Sequence, residues 1–256
     1  MKIDAHFHVF LASAINQAQS RYVLEYDAPI DQWEKLANHV GIDGGVIVQP
    51  SFLGVDNSFL LSALQLSPNK LKGVAVTPPN TPRSALAELK EQGVIGVRLN
   101  LFKDENPSAS IRMHWKLIEF INESDMHLEI HHDDGLLNRL LLDIPSGTKI
   151  IVDHFGRPKA DAEFLNNAGG IERHVSLLWV KLSAQYRTPH LNHRKVLDYW
   201  LDTIGPNKLL WGSDWPHTGF EAKEAYENQF SQLNKLVDDE FLMNQILAKN
   251  PSKLYW

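Results

Sequence analysis

Short runs of apolar residues recur along the chain at intervals that suit one alternating architecture. Eight of them read as strands: Ile3–His8, Gly45–Gln49, Leu71–Val76, Ile95–Leu99, His127–His132, Lys149–Val152, Leu177–Ser183 and Lys208–Gly212. They are rich in Val, Ile and Leu and mostly unbroken by polar positions, the pattern of strands covered on both faces. Between them the apolar positions change to helical spacing. Asp31–His39 carries Trp33, Leu36 and Ala37, and Asn57–Leu66 carries Phe59, Leu60, Ala63 and Leu64. Pro82–Gln92 reads as a helix capped by Thr81 with Pro82 at its first position. Helices are also predicted over Ile111–Ser124, Gly135–Leu142, Asp161–Ala168, His193–Ile204, Glu221–Val237 and Glu240–Lys249.

Strand–helix alternation implies parallel strands joined by right-handed crossovers. Eight such units in 256 residues match one α/β (β/α)8 TIM barrel, about 250 residues in its usual form. A dinucleotide-binding sheet would place a glycine-rich loop after the first strand, where this chain has Val9-Phe10-Leu11-Ala12. No linker or low-complexity tract interrupts the pattern, so residues 1–256 are expected to form a single domain.

Composition narrows the chemistry. A formal net charge of −6 without any lysine/arginine run speaks against nucleic acid or an anionic membrane as partner. With no cysteine, thiolate metal sites, disulfides and cysteine nucleophiles are excluded, and a metal would have to rest on His, Asp, Glu or Lys. No secretory signal and no run of about 20 apolar residues is visible, so a cytoplasmic protein is expected. Monomer and homodimer are equally compatible with the sequence.

Barrel enzymes carry their chemistry at the C-terminal ends of the strands. The first predicted strand ends His6-Phe7-His8, two imidazoles on one side of a strand. That arrangement suits a divalent metal, or two hydrogen-bonded histidines of no catalytic consequence. Asp4 could orient one of the rings or serve structure alone. Ser51 follows the second strand, as a substrate contact or a turn cap. Arg98 stands in the apolar fourth strand, where it requires an anion: a substrate carboxylate or an internal salt bridge. At most one of His131 and His132 can face inward. His154 ends the sixth strand; Tyr186 and Arg187 follow the seventh, as anion contacts or ordinary loop residues; Asp214 and His217 follow the eighth. Asp214, between Trp211 and Trp215, is a general base if nearby cations keep it ionised, or otherwise a helix cap.

Taken together, His-x-His on strand one, His on strand six and Asp on strand eight resemble the amidohydrolase superfamily. The stretches Val152-Asp153-His154-Phe155-Gly156-Arg157-Pro158, Leu182-Ser183-Ala184-Gln185-Tyr186-Arg187 and Trp211-Gly212-Ser213-Asp214-Trp215-Pro216-His217 are similar to amidohydrolase family 2, of the 2-pyrone-4,6-dicarboxylate lactonase type. The resemblance implies hydrolysis of the cyclic ester of a small anionic lactone, with Asp214, His6, His8 and His154 as catalytic residues and Tyr22, Ser51, Arg98, Tyr186, Arg187 and His217 around the substrate. It implies either one divalent metal, Zn or Mn, on His6, His8 and Asp214 with His154 nearby, or metal-independent chemistry. A binuclear centre is not expected, because strand four carries Arg98 in place of a bridging lysine. Only Lys103, beside Asp104 and Glu105, is available to hold a second carboxylate, which leaves the dicarboxylate itself in question. Two rivals share the fold: a zinc-dependent decarboxylase of aromatic or muconate acids, and a non-catalytic binding barrel.

Overall fold

The computed structural model describes residues 1–15, 24–160 and 169–256. Tyr22 and the helix expected over 161–168 lie outside the described residues. The strands are β1 (Ile3–Phe7), β2 (Gly44–Val48), β3 (Leu71–Ala75), β4 (Val94–Asn100), β5 (His127–His131), β6 (Ile150–Val152), β7 (Leu178–Ser183) and β8 (Leu209–Gly212). They form one parallel sheet in sequential order. The sheet closes on itself just beyond β8: His8 N–H donates to the Trp215 carbonyl and Asp214 N–H to the His6 carbonyl, both at 2.8 Å. The result is a (β/α)8 barrel.

The helices named on the outside include α1 (Ile30–His39), α2 (Ser58–Leu66), α3 (Arg83–Glu91), α4 (Pro107–Met113) and α5 (Trp115–Glu123). They continue with α6 (Leu137–Asp143), α7 (Gly169–His174), α8 (His193–Ile204), α9 (Tyr226–Leu236), α10 (Glu240–Asn244) and α11 (Asn250–Tyr255). Several depart from expectation for local reasons. Thr81 does not cap α3; its hydroxyl donates back to the Pro78 carbonyl, and Pro82 takes the cap position. The helix predicted over Ile111–Ser124 begins earlier, at Pro107 with Asn106 accepting from Ala109 N–H, and breaks at His114, which ends α4 and starts α5. The helix predicted from Glu221 starts only at Tyr226. The last one runs on through a wide turn at Gln245–Lys249 into α11. Among the described residues no helix is long and apolar enough to cross a membrane.

Alternation along the strands sorts side chains into two clusters. Ile47, Leu71, Leu128, Ile130, Val180 and Trp211 pack outward beneath the helices. Ile3, Ala5, Val46, Val48, Val74, Ile151, Trp179 and Leu210, with Tyr255 from α11, form a separate cluster inside the barrel. On β1 the pairing slips between Asp4 and Phe7, which is why Ala5 belongs to the inner cluster while Phe7 stacks on Trp33 outside, at 3.9 Å between ring centroids. The slip also parts Asp4 from His6. Asp4 points outward and accepts from Trp33 Nε1, the Tyr226 hydroxyl, Ser213 Oγ and the amides of His6 and Ser213, so it fastens the seam and orients no imidazole.

Candidate active site

Above the inner apolar cluster the same inward positions become charged. Glu129 (β5), Lys181 (β7), Arg98 (β4) and Asp153, just after β6, are all buried. Lys181 Nζ lies 2.5 Å from Glu129 Oε2. Arg98 donates to Asp153 Oδ2 from Nε at 3.2 Å and from a terminal nitrogen at 2.7 Å, and its Nε is 3.6 Å from Glu129 Oε1. The internal salt bridge considered for Arg98 is therefore present, although the guanidinium also lines the mouth cavity. Burial and the charge of Asp153 push the Glu129 carboxyl up, but Lys181 and His127 bring it below its ordinary value. Burial also opposes ionisation of Asp153, which His6, Arg98 and Lys181 hold well below the carboxylate range.

The next layer is the mouth. His6 and His8 meet edge-on with centroids 5.0 Å apart, and His154 lies 5.2 Å from His6. Nε2 of His6 and Nε2 of His8 each stand 3.5 Å from Asp214 Oδ1. The other oxygen, Oδ2, accepts from the Tyr186 hydroxyl at 2.5 Å and Arg187 Nε at 2.8 Å. Burial would neutralise Asp214, but the charge of Arg187, with His154, His8 and His6, holds its carboxyl well below the usual range, so it is ionised at neutral pH. Burial and the Asp214 charge drive the Tyr186 phenol well up, keeping it a hydrogen donor. Burial lowers His8, and it lowers His131 and His154 further.

Turn geometry aims these groups. Asp214 and His154 both adopt left-handed backbone, with φ of 58° and 53°, a conformation that costs a non-glycine residue free energy and persists only where the surroundings enforce it. At Gly212 a methyl group would overlap the Cβ of His6, so the close approach of the two strands requires glycine there.

The mouth cavity brings together His8, Ser51, Arg98, His154, Arg187 and Asp214 from the expected set, and adds Asn100, His131 and Thr218. His131 is the inward member of its pair, 5.0 Å from His154 and stacked on Phe102; His132 turns away and bonds the Asp133 carbonyl. Tyr186 and His217 stand behind Asp214, 5.8 Å from each other, and burial pushes His217 down to about 4. A second cavity shares Ser51, Arg98 and Asn100 and continues to Thr77, Lys103 and His114. Glu129, Lys181 and Asp153 were not singled out from the sequence. The signal that drew attention to Arg98, a charge at an inward position of an apolar strand, applies equally to Glu129 and Lys181.

His6, His8 and Asp214 each offer a ligand atom close enough to the others to share one cation, and His6, Asp153 and His154 form an overlapping group. The donor chemistry fits. His8 Nδ1 faces the Val48 carbonyl at 2.7 Å, which can only accept, so the hydrogen is on Nδ1 and Nε2 presents a lone pair. His6 Nε2 is buried without a hydrogen-bond partner. Two imidazoles and a carboxylate are a donor set that Zn2+ accepts.

A family model described as Amidohydrolase matches residues 3–256. A 4-sulfomuconolactone hydrolase of Rhizobium radiobacter is 31% identical over 271 residues, taking in 98% of this chain and 89% of that protein. A 2-pyrone-4,6-dicarboxylate hydrolase of Comamonas testosteroni is 27% identical over 278 residues, with 99% and 90% covered. Among solved structures, a candidate 2-pyrone-4,6-dicarboxylic acid hydrolase of Pseudomonas putida superposes with a TM-score of 0.89 at 34% identity, covering 99% of this chain and 97% of that one.

Proposed function

The chain belongs to the amidohydrolase family, and from that membership we propose that it hydrolyses the ring ester of a small carboxylated lactone, with residues 1–256 acting as one catalytic domain. The observation that carries the reading is the division of labour on Asp214: Oδ2 is held by Tyr186 and Arg187, and Oδ1 faces the cavity beside two imidazole nitrogens.

A water at the mouth gives one hydrogen bond to Asp214 Oδ1 and the other to the lone pair of His8 Nε2, which leaves an oxygen lone pair for attack. As that oxygen bonds to the ester carbonyl carbon, its proton passes to Asp214. Donors already aimed at the mouth stabilise the charge that builds on the carbonyl oxygen; His154, its ring held by Ser183 Oγ at 2.9 Å, is placed for this. The ring carbon–oxygen bond then breaks, and Asp214 returns the proton to the leaving enolate or alkoxide. Arg187, Arg98 and the Ser51 hydroxyl receive the substrate's carboxylate. A divalent cation, Zn2+ or Mn2+, on His6, His8 and Asp214 would supply Lewis-acid polarisation of the carbonyl.

The test is ring opening on a panel of 2-pyrone-4,6-dicarboxylate, muconolactones with and without a sulfonate, and sugar lactones, with and without added Zn2+ or Mn2+. Turnover of a carboxylated ring supports the reading. No turnover of any ring, with release of CO2 from resorcylate or muconate acids, would replace it with the decarboxylase reading.

A further inference from the structure

Beneath the mouth, Lys181 and Glu129 form a fully buried pair to which the reaction above gives no task. Such a pair gains little stability over apolar packing, because desolvation offsets the attraction. Its surroundings point to a different role. The Lys181 ammonium lies 3.2 Å from Nδ1 of His6, in hydrogen-bond geometry. Asp153 Oδ1 lies at the same 3.2 Å from the same nitrogen, close enough for His6 to hold its carboxyl down but out of line for a well-directed hydrogen bond. Glu129 Oε1, 3.7 Å from Nδ1, is likewise without one.

These neighbours make opposite demands on one atom. An ammonium only donates, so it requires Nδ1 to present a lone pair; a carboxylate only accepts, so it requires Nδ1 to carry hydrogen. One nitrogen of a neutral imidazole cannot satisfy both, and the alignment favours Lys181. We infer that Lys181 is a positioning residue acting through His6: by donating to Nδ1 it keeps the ring hydrogen on Nε2, so that His6 turns an N–H toward Oδ1 of Asp214 at the mouth. Holding a cation at Nε2 requires the other tautomer, in which Nδ1–H donates to Asp153 and the bond from Lys181 is lost. Lys181 therefore weakens cation binding at His6, and Asp153 supports it. The catalytic consequence, an N–H aimed at Oδ1 of the base Asp214, rests on the lactonase reading, whereas the tautomer does not.

The experiment uses chelator-treated protein with 15N-labelled histidine, His6→Gln identifying the His6 signals among those of 12 histidines. Nitrogen shifts report the tautomer, and calorimetry with ZnCl2 reports cation affinity. In the unmodified protein His6 is expected to carry its hydrogen on Nε2. In Lys181→Met/Glu129→Gln, which removes one charge of each sign, the hydrogen moves to Nδ1 and Zn2+ binds about tenfold tighter or more. Asp153→Asn shifts affinity the other way. Hydrogen found on Nδ1 in the unmodified protein overturns the inference even if no variant folds, and so does an unchanged Zn2+ affinity in the folded pair variant. Neither readout involves a substrate, so a silent lactone panel leaves both intact.

Discussion

The amide of Asp214 donates to the carbonyl of His6 at 2.8 Å, so the candidate base and the first imidazole are joined through the backbone at the seam where the barrel closes. Their side chains then meet again, Nε2 to Oδ1, at 3.5 Å. Register across the seam and geometry at the mouth are one property.

Asp214→Asn keeps this backbone link and removes the base. We expect kcat to fall about a thousandfold or more with the unfolding midpoint little changed. Tyr186→Phe removes a donor to Oδ2 and leaves Arg187 in place, so its loss should be far smaller, about tenfold. Steady-state kinetics on both variants checks the order, and a Tyr186→Phe protein as inactive as Asp214→Asn would contradict the assignment of the base.

Arg98 is expected to matter twice. Arg98→Met removes the guanidinium from buried Asp153 and leaves it only Lys181, 3.7 Å away, and His6, which should cost roughly 3 kcal/mol in urea unfolding and raise KM for a carboxylated substrate. Adding Asp153→Asn should recover part of the stability and none of the binding, because the anion contact is still missing. Recovery of both would make Arg98 purely structural.

Gly212→Ala tests the close approach at the seam. The added methyl overlaps the Cβ of His6, so β1 must shift and carry its imidazole away from Asp214. A displacement of about 1 Å at a reacting centre is worth on the order of a hundredfold in kcat/KM. Unaltered kinetics in this variant would show that the strand pair has slack.

Acid should weaken the fold in two stages. His131 and His154 are held well below 6.5 when folded, so the unfolded chain takes up more protons as pH falls past that value, and stability drops. Asp153 and Asp214 are held well below 3.8; their contribution is complete above that value and is lost as pH falls further. Asp4, raised by burial despite the bonds from Ser213 and Trp33, works in the opposite direction. Urea midpoints at pH 8, 6 and 4.5 should decline in that order, and a constant midpoint would refute the first stage.

The barrel and the outline of its mouth were legible in the order of residues alone. Apolar runs of strand length alternating with amphipathic segments leave few ways to bury both faces of eight strands, and residues such as His6, His8, His154 and Asp214 stand out because strand ends are where that architecture places polar groups. What those groups touch is set by the folded barrel. Lys181, Glu129, Asp153 and Arg98 each look isolated in a separate strand or strand end, and closure of the sheet is what sets the first three around His6 and Arg98 against Asp153 and Glu129. The same closure turned Asp4 outward through a slip in β1 that no alternation pattern announces. It also set Tyr186 and Arg187 on one oxygen of Asp214, leaving the other for the histidines. Local pattern reports which face a residue prefers; the charge it meets there depends on strands far away in sequence, so hydrogen-bond direction and ionisation are settled only when the barrel closes.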